Sequence, residues 1–177
     1  MQKVSIVNSR LRNADLTFIY APGAHFFRSD LSGANLTTSD LTGAFLHHLM
    51  AEGADFRSAK LSKATLRYAN LKGADLDGVV LTHADLRGAD LSGASIQGAD
   101  LTGADLSGAL LNHANLHGSN LTNVKCIGCR FIKTDVRNVD FTGADLSGST
   151  LRGVLTNVHT NTCKTKMPNG TIGTCVK

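Results

Sequence analysis

The 177-residue chain contains 42% hydrophobic residues but only 5% aromatic ones and no Trp, which suits a single domain with a core of Leu and Ala. Its formal charge of +4 comes entirely from residues 151–177, because acidic and basic side chains balance over residues 1–150. This balance excludes the concentrated basic field typical of nucleic-acid binding, so we expect no nucleic-acid partner. The chain has no run of about 18 apolar residues, so we expect no membrane-spanning helix and no membrane partner.

The N-terminal segment, MQKVSIVNSRLRNADL, lacks the apolar core of a secretory signal peptide. This does not exclude export, since a mature exported chain has lost its signal. The repetitive part of the chain begins almost at once, with Val4 and Ile6, and leaves no residues for a cap over that end. We therefore expect the N-terminal end to contact a removed segment or another chain, the latter as an end-to-end homodimer.

From Ile6 to Leu151 the chain repeats every five residues without an insertion or a deletion. Stepping by fives through Leu101 defines a "large site" in each unit, and all but three of these sites hold Leu, Ile, Val or Phe. The residue two positions earlier, the "small site", is usually Ala. Neither a helix, with a period of 3.6, nor a strand, with a period of 2, has this rhythm.

Units that all bury the same two sites must wind around an axis, and their coils stack at the strand spacing of about 4.8 Å. Two of the exceptional large sites, Ala21 and Ala51, support this assignment. Their small sites hold Ile19 and Leu49, so the large and small side chains have exchanged places within the unit. Such an exchange conserves volume in a close-packed interior.

The units ANLTT, ADLRG, ADLSG and ADFTG resemble the pentapeptide-repeat family, whose motif reads Ala-(Asp/Asn)-Leu-x-x. The resemblance implies an all-β, right-handed quadrilateral β-helix of about seven coils over residues 1–153, with a C-terminal cap and Cys-bracketed loop over residues 154–177. In that geometry the following residues point to the axis: Leu76, Leu81, Leu86, Leu91, Ile96, Leu101, Leu106, Leu111, Leu116, Leu121, Cys126 and Cys129.

The inward placement decides how Cys126 and Cys129 are interpreted. A CxxC pair suggests zinc, but a metal needs two more ligands and the remaining cysteines lie far along the chain. We interpret the two residues as packed thiols, with a strained local disulfide as the less favoured alternative.

The outward side chains include seven histidines. On a helix His113 and His117 would share a face and suggest a metal site, but on a solenoid they lie on adjacent outer faces, with no evident carboxylate to complete a ligand set. We interpret them as solvated surface residues. No arrangement of nucleophile and base can be placed either, and no phosphate-binding loop follows from the regular glycines. The sequence therefore predicts no catalytic residue, metal or cofactor.

The tail contains Cys163 and Cys175, separated by a segment in which Pro-Asn-Gly is a strong turn signal. It resembles the tails of exported bacterial and thylakoid-lumen members of the family. These features predict a Cys163–Cys175 disulfide, worth about 3 kcal/mol, and an oxidising compartment such as the periplasm or thylakoid lumen. A cytoplasmic chain with two free thiols is the alternative. We expect Val154, Leu155 and Val158 to cover the C-terminal end.

A core devoted to stacking, without a catalytic cluster, favours a non-enzymatic structural or protein-interaction scaffold whose partner is an unidentified protein. The alternative comes from the resemblance, because some family members imitate DNA and inhibit a type II topoisomerase such as gyrase. That role needs a densely negative exterior. Here Lys60 and Lys125 interrupt the columns of outward Asp residues.

Overall fold

A computed structural model describes residues 5–175, so Val4 lies outside the described residues. The residue before each large site forms a parallel bridge to the residue twenty positions later, as between Asp85 and Asp105. This offset is uniform from Ser5 to Leu155, so four units close one coil. Within residues 5–175 there is no helix and no strand longer than one bridging residue, because two of every five residues lie in a turn.

Backbone hydrogen bonding explains the composition of a unit, as residues 100–104 illustrate. Asp100 donates its N–H to the preceding coil (3.0 Å), and Leu101 and Gly103 donate to the following coil (2.8 and 2.9 Å). Ala104 donates across the turn to the carbonyl of Leu101 (2.9 Å). The remaining N–H, of Thr102, donates to the Asp100 carboxylate (3.0 Å). Asp or Asn at this place thus satisfies the last backbone donor of the unit.

The turn in each unit places its second residue in the left-handed region. From Asn8 to Gly153 this residue has φ between 53° and 73°. A type II turn requires such a value, and glycine adopts it most readily. Non-glycine residues nevertheless occupy many of these positions, including His48 (φ 56°) and Tyr68 (φ 55°).

The core is a single column of Leu and Ala along the axis of the coils. All twelve residues that the sequence places at the axis are buried, and none is more than 1% exposed. The exchanged unit at Leu49 and Ala51 is also fully buried, so large and small side chains do trade places there. Burial of this continuous column, rather than any single unit, stabilises the solenoid.

The interpretation of Cys126 and Cys129 as packed thiols is wrong, because the two residues form a disulfide. Their sites are the first and last residues of one turn, and the Cα atoms lie 5.4 Å apart. This separation is within the ordinary range for a disulfide. The turn therefore brings together any two cysteines that occupy a large site and the next small site.

The winding continues beyond residue 153. One additional residue after Leu155 lengthens the bridge offset to 21, as between Asp140 and Asn161, and the chain then turns back in an antiparallel bridge between Lys166 and Ile172. Cys163 and Cys175 are bonded and hold this tail.

The expected cover of the C-terminal end is wrong for two of its three residues. Leu155 is 53% exposed because it lies in the outward column of bridging residues, where it pairs with Asp135 at the regular offset of twenty. Val158 is 92% exposed because it lies in the turn that follows. Val154 contacts the core and is half-buried. Together with Met167 it lines an apolar cavity of about 190 Å³ below the tail.

Candidate interaction surface

One face of the solenoid carries a concentration of rings and cations over three successive coils. Because residues twenty apart are neighbours along the rod, three outward columns combine here. We call this group the aromatic–cationic surface, and it consists of His25, Phe27, Arg28, Phe45, His47, His48, Arg67 and Tyr68.

The rings contact one another along the direction of coil stacking. The ring centroids of His25 and Phe45 are 4.6 Å apart, and those of Phe27 and His47 are 4.7 Å apart. His48 stacks on Tyr68 at 5.3 Å with an interplanar angle of 18°. These separations match the coil spacing, so the backbone repeat itself sets the stacking geometry.

Tyr68 is held between His48 and the backbone of the next coil. The residue twenty positions later is Gly88, and a Cβ atom there would lie 2.7 Å from two carbon atoms of the Tyr68 ring. Only glycine leaves room for a ring against this part of the backbone. Tyr68 nevertheless remains 62% exposed, so its outer edge is available to a partner.

The surface contains two guanidinium groups and no carboxylate. The Arg28 guanidinium lies 4.9 Å from the centroid of the Phe27 ring, within the range of a cation–π contact. Arg67 lies at the edge of the surface, where it pairs with Asp85 at 2.5 Å. Asp85 also pairs with Arg87 at 2.8 Å, and Arg87 lies 3.9 Å from Asp105. Within residues 5–175 Arg28 has no ion pair, so this guanidinium supplies the positive charge that the surface leaves unneutralised.

The three histidines bring titratable groups close together. Burial lowers the pKa of His47, and the positive charges of His48, Arg67 and His25 lower it further. Beside His47, side chains including Phe45, His48 and Tyr68 line an open recess of about 390 Å³.

Stacking determines which part of each ring a partner can meet. The rings of His48 and Tyr68 are stacked along the rod, whereas the other two ring pairs are tilted by 35° and 46°. Aromatic edges carry the positive part of the quadrupole, and an imidazole edge offers N–H donors. The arrangement can therefore bind oxygen acceptors, and the faces that His48 and Tyr68 turn to each other are not free for a base to stack on.

Sequence reasoning missed this surface, because the only two histidines that it compared were His113 and His117. These two residues lie on adjacent faces, and His117 contacts Asn138 at 3.1 Å. The signal was present in the twenty-residue period, which places Phe27, His47 and Arg67 in one column. Within residues 5–175 no group of three or more His, Cys, Asp or Glu side chains is suited to a metal ion.

The geometry defines a repeat solenoid with aromatic and cationic side chains grouped on one outward face, and comparison with known proteins identifies its family. The family model Pentapeptide repeats matches in eight copies, over residues 9–47, 23–57, 59–98, 89–125, 99–137 and 119–155. The chain belongs to the pentapeptide-repeat family, whose members fold as right-handed quadrilateral β-helices and are generally non-enzymatic scaffolds.

The solved structure of QnrB1 has the same fold, and HetL is a further similar protein. QnrB1, a plasmid-mediated fluoroquinolone resistance protein, is 21% identical, with 89% of this chain and 93% of that chain covered and a TM-score of 0.67. HetL, a pentapeptide repeat protein involved in heterocyst differentiation regulation in the cyanobacterium Nostoc sp. strain PCC 7120, is 25% identical over 98% of this chain and 91% of its own, with a TM-score of 0.46. No curated protein sequence matches the chain.

The part of the chain from residue 5 to residue 175 has no helix long and apolar enough to cross a membrane.

Proposed function

We propose that this protein is a non-enzymatic scaffold that binds a protein partner through the aromatic–cationic surface. The observation that carries the proposal is the gathering of eight ring-bearing or cationic residues, without a carboxylate, on one face of three coils. Elsewhere on the rod some cations pair closely with carboxylates, as Arg57 with Asp55 and Arg137 with Asp135, both at 2.6 Å. Exposed aromatic residues and Arg are the residue types that most often dominate binding energy at interfaces.

The fold offers a matched pair of positions at which to test this surface. Tyr68 and Phe18 are both aromatic, are 62% and 77% exposed, and have the same φ of 55°. They lie on different faces. A photoreactive phenylalanine at position 68 should crosslink the partner in the native source, whereas the same group at position 18 should not. Equal crosslinking at both positions, or crosslinking only from position 18, would contradict the proposal.

A second measurement tests the contribution of the ring. Tyr68→Gly keeps the left-handed turn, since glycine is the commonest residue at this place in the repeat. Loss of an interfacial Tyr typically weakens binding by about 10-fold or more. We expect that loss for Tyr68→Gly, and no loss for Phe18→Gly, in partner recovery on immobilised protein.

The alternative, imitation of DNA towards a type II topoisomerase, needs outward carboxylates that are not neutralised. The paired carboxylates described above do not favour it. A gyrase supercoiling assay with excess protein separates the two functions. Unchanged supercoiling would support the scaffold function, and inhibition of supercoiling would support imitation of DNA instead.

We also propose an end-to-end homodimer through the N-terminal coil. Ile6, Leu11 and Leu16 are only half-buried, although their counterparts one coil further along the rod are fully buried. A second copy would remove this apolar area from water. Light scattering at increasing concentration should give the mass of a dimer, and a constant monomer mass would refute this arrangement.

We further propose an exported location, in the periplasm or thylakoid lumen, in preference to the cytoplasm. Two disulfides, Cys126–Cys129 and Cys163–Cys175, support it because such bonds persist in oxidising compartments. Non-reducing mass spectrometry of the protein from its native source tests this location. Two intact disulfides are expected, and four free thiols would argue for the cytoplasm.

A further inference from the structure

We propose that the aromatic–cationic surface recognises an acidic segment of its protein partner, and that it binds this segment more tightly at acid pH. The inference rests on the proposed function and adds the chemistry of the partner. It follows from three properties of the surface: its net charge, the orientation of its rings and the grouping of its histidines.

Charge complementarity is the first argument. Arg28 makes a cation–π contact and, within residues 5–175, no ion pair. Arg67 pairs with Asp85, a carboxylate that Arg87 also contacts. Carboxylates of a partner can therefore form charge-assisted hydrogen bonds at this face without displacing an internal carboxylate from Arg28.

Ring orientation is the second argument, and it separates an acidic peptide from a nucleic acid. Single-stranded nucleic acids bind proteins by stacking bases on aromatic faces. Here the faces of His48 and Tyr68 are stacked on each other at 5.3 Å. The Phe27 ring is covered by the Arg28 guanidinium at 4.9 Å and lies against His47 at a tilt of 46°. Ring edges carry the positive part of the quadrupole and attract carboxylate oxygens instead.

The histidines are the third argument, and they determine the direction of the pH dependence. The charged and titratable groups that act on His47 are His48, Arg67 and His25. In the free protein burial and these cations disfavour the charged form of His47. A bound carboxylate favours it, because an opposite charge within about 4–6 Å stabilises an imidazolium. Binding therefore takes up protons, and affinity rises as the pH falls through the histidine range.

Fluorescence anisotropy with the full chain tests the inference directly. The probe is a short rhodamine-labelled peptide of repeated Glu-Glu-Phe, and an otherwise identical Gln-Gln-Phe peptide is the uncharged control. Glu stays largely ionised at about pH 5.5, so the probe's own charge changes little between that pH and about pH 7.5. We expect the Glu peptide to bind at least ~10-fold more tightly than the Gln peptide, and several-fold more tightly at the lower pH.

Matched variants locate the binding. Arg28→Gly and His48→Gly should each weaken binding of the Glu peptide by roughly 5- to 10-fold. Lys63→Gly removes a cation and His113→Gly removes an imidazole from equivalent positive-φ positions on other faces, and each should change the affinity by less than about twofold. His48→Gly also removes a charge that lowers the pKa of His47, so it should reduce the difference in affinity between the two pH values. A merely structural change would leave that difference in affinity intact.

Three results would overturn the inference. The first is equal affinity for the two peptides, and the second is equal loss in the surface variants and their controls. The third is loss of binding in an Arg130→Ser, Lys133→Gly variant, which alters another group of cations on one face. If any of these outcomes occurred while crosslinking from position 68 stayed intact, the preference for an acidic segment would be refuted and the proposed scaffold function would stand. Loss of the position-68 crosslink would remove the proposed function as well.

Discussion

Replacement of Gly88 by Ala should displace Tyr68 without altering any residue of the aromatic–cationic surface. The backbone at Gly88 has φ 67°, and a Cβ there would lie 2.7 Å from the Tyr68 ring. Gly93 provides the control, because it has φ 69° and nothing within 4 Å of the corresponding position. Both replacements put Ala in a left-handed turn at a cost of about 1–2 kcal/mol, offset by about 0.4–1 kcal/mol of lost freedom in the unfolded chain.

Only Gly88→Ala also forces the Tyr68 ring away from its stack. An aromatic pair of this kind contributes about 0.5–1.5 kcal/mol, so Gly88→Ala should reduce the free energy of unfolding by roughly 1 kcal/mol more than Gly93→Ala does. The same displacement should lower affinity for the partner or the Glu peptide to about the value for Tyr68→Gly.

Urea unfolding and anisotropy measure the two effects, and a double-mutant cycle tests their cause. In a Tyr68→Gly background the ring is absent, so Gly88→Ala and Gly93→Ala should then cost the same. The reasoning would be refuted if Gly88→Ala and Gly93→Ala already matched in the native background. It would also be refuted if their difference persisted without the ring.

Three further predictions concern the rod and its tail. Leu101 is fully buried, so Leu101→Ala should lower the free energy of unfolding by about 2–5 kcal/mol in urea, and a loss below about 1 kcal/mol would contradict its inward position. The pKa of Asp145 lies below its usual value because the hydroxyl and the backbone N–H of Ser147 donate to the carboxylate. The contribution of the Asp145 carboxylate to stability is therefore present above its unfolded-state pKa and is lost as the pH falls through its lowered folded-state pKa. Asp145→Asn should reduce the fall of Tm in acid, and an unchanged dependence of Tm on pH in acid would count against this. Replacing both Cys163 and Cys175 by Ser should cost about 3 kcal/mol in urea unfolding, and an unchanged free energy would show that this pair does not constrain the chain.

The sequence predicted the fold because the repeat is a local code. The unit around Leu101 contains, within five residues, the residues that form its turn, its inward side chains and its Asp acceptor. The next unit has the same pattern of residues and hydrogen bonds. The exchange at Leu49 and Ala51 could be read in the same way, since both residues belong to one unit. The prediction of the C-terminal cover failed because Leu155 occupies the outward bridging position before a large site and Val158 lies in a turn, so neither side chain points to the axis.

The disulfide at Cys126 and the surface around Tyr68 show where sequence reasoning stopped. Burial of Cys126 and Cys129 followed from their sites, but bonding depended on the 5.4 Å between their Cα atoms, a property of the turn geometry. The surface depended on three coils meeting in register. His25 and Tyr68 are far apart along the chain, and only the stacking of coils places them on one face.

The amino-acid sequence alone thus determined the five-residue unit, the inward Leu and Ala columns and the neutrality of the rod. Each of these is set by neighbours within a unit, so no distant contact is needed to define it. The tertiary structure decided which outward side chains touch, as when Tyr68 lies against Gly88 and stacks on His48. Those contacts join residues twenty positions apart, and they exist only because closed coils stack at the spacing of a parallel β-bridge.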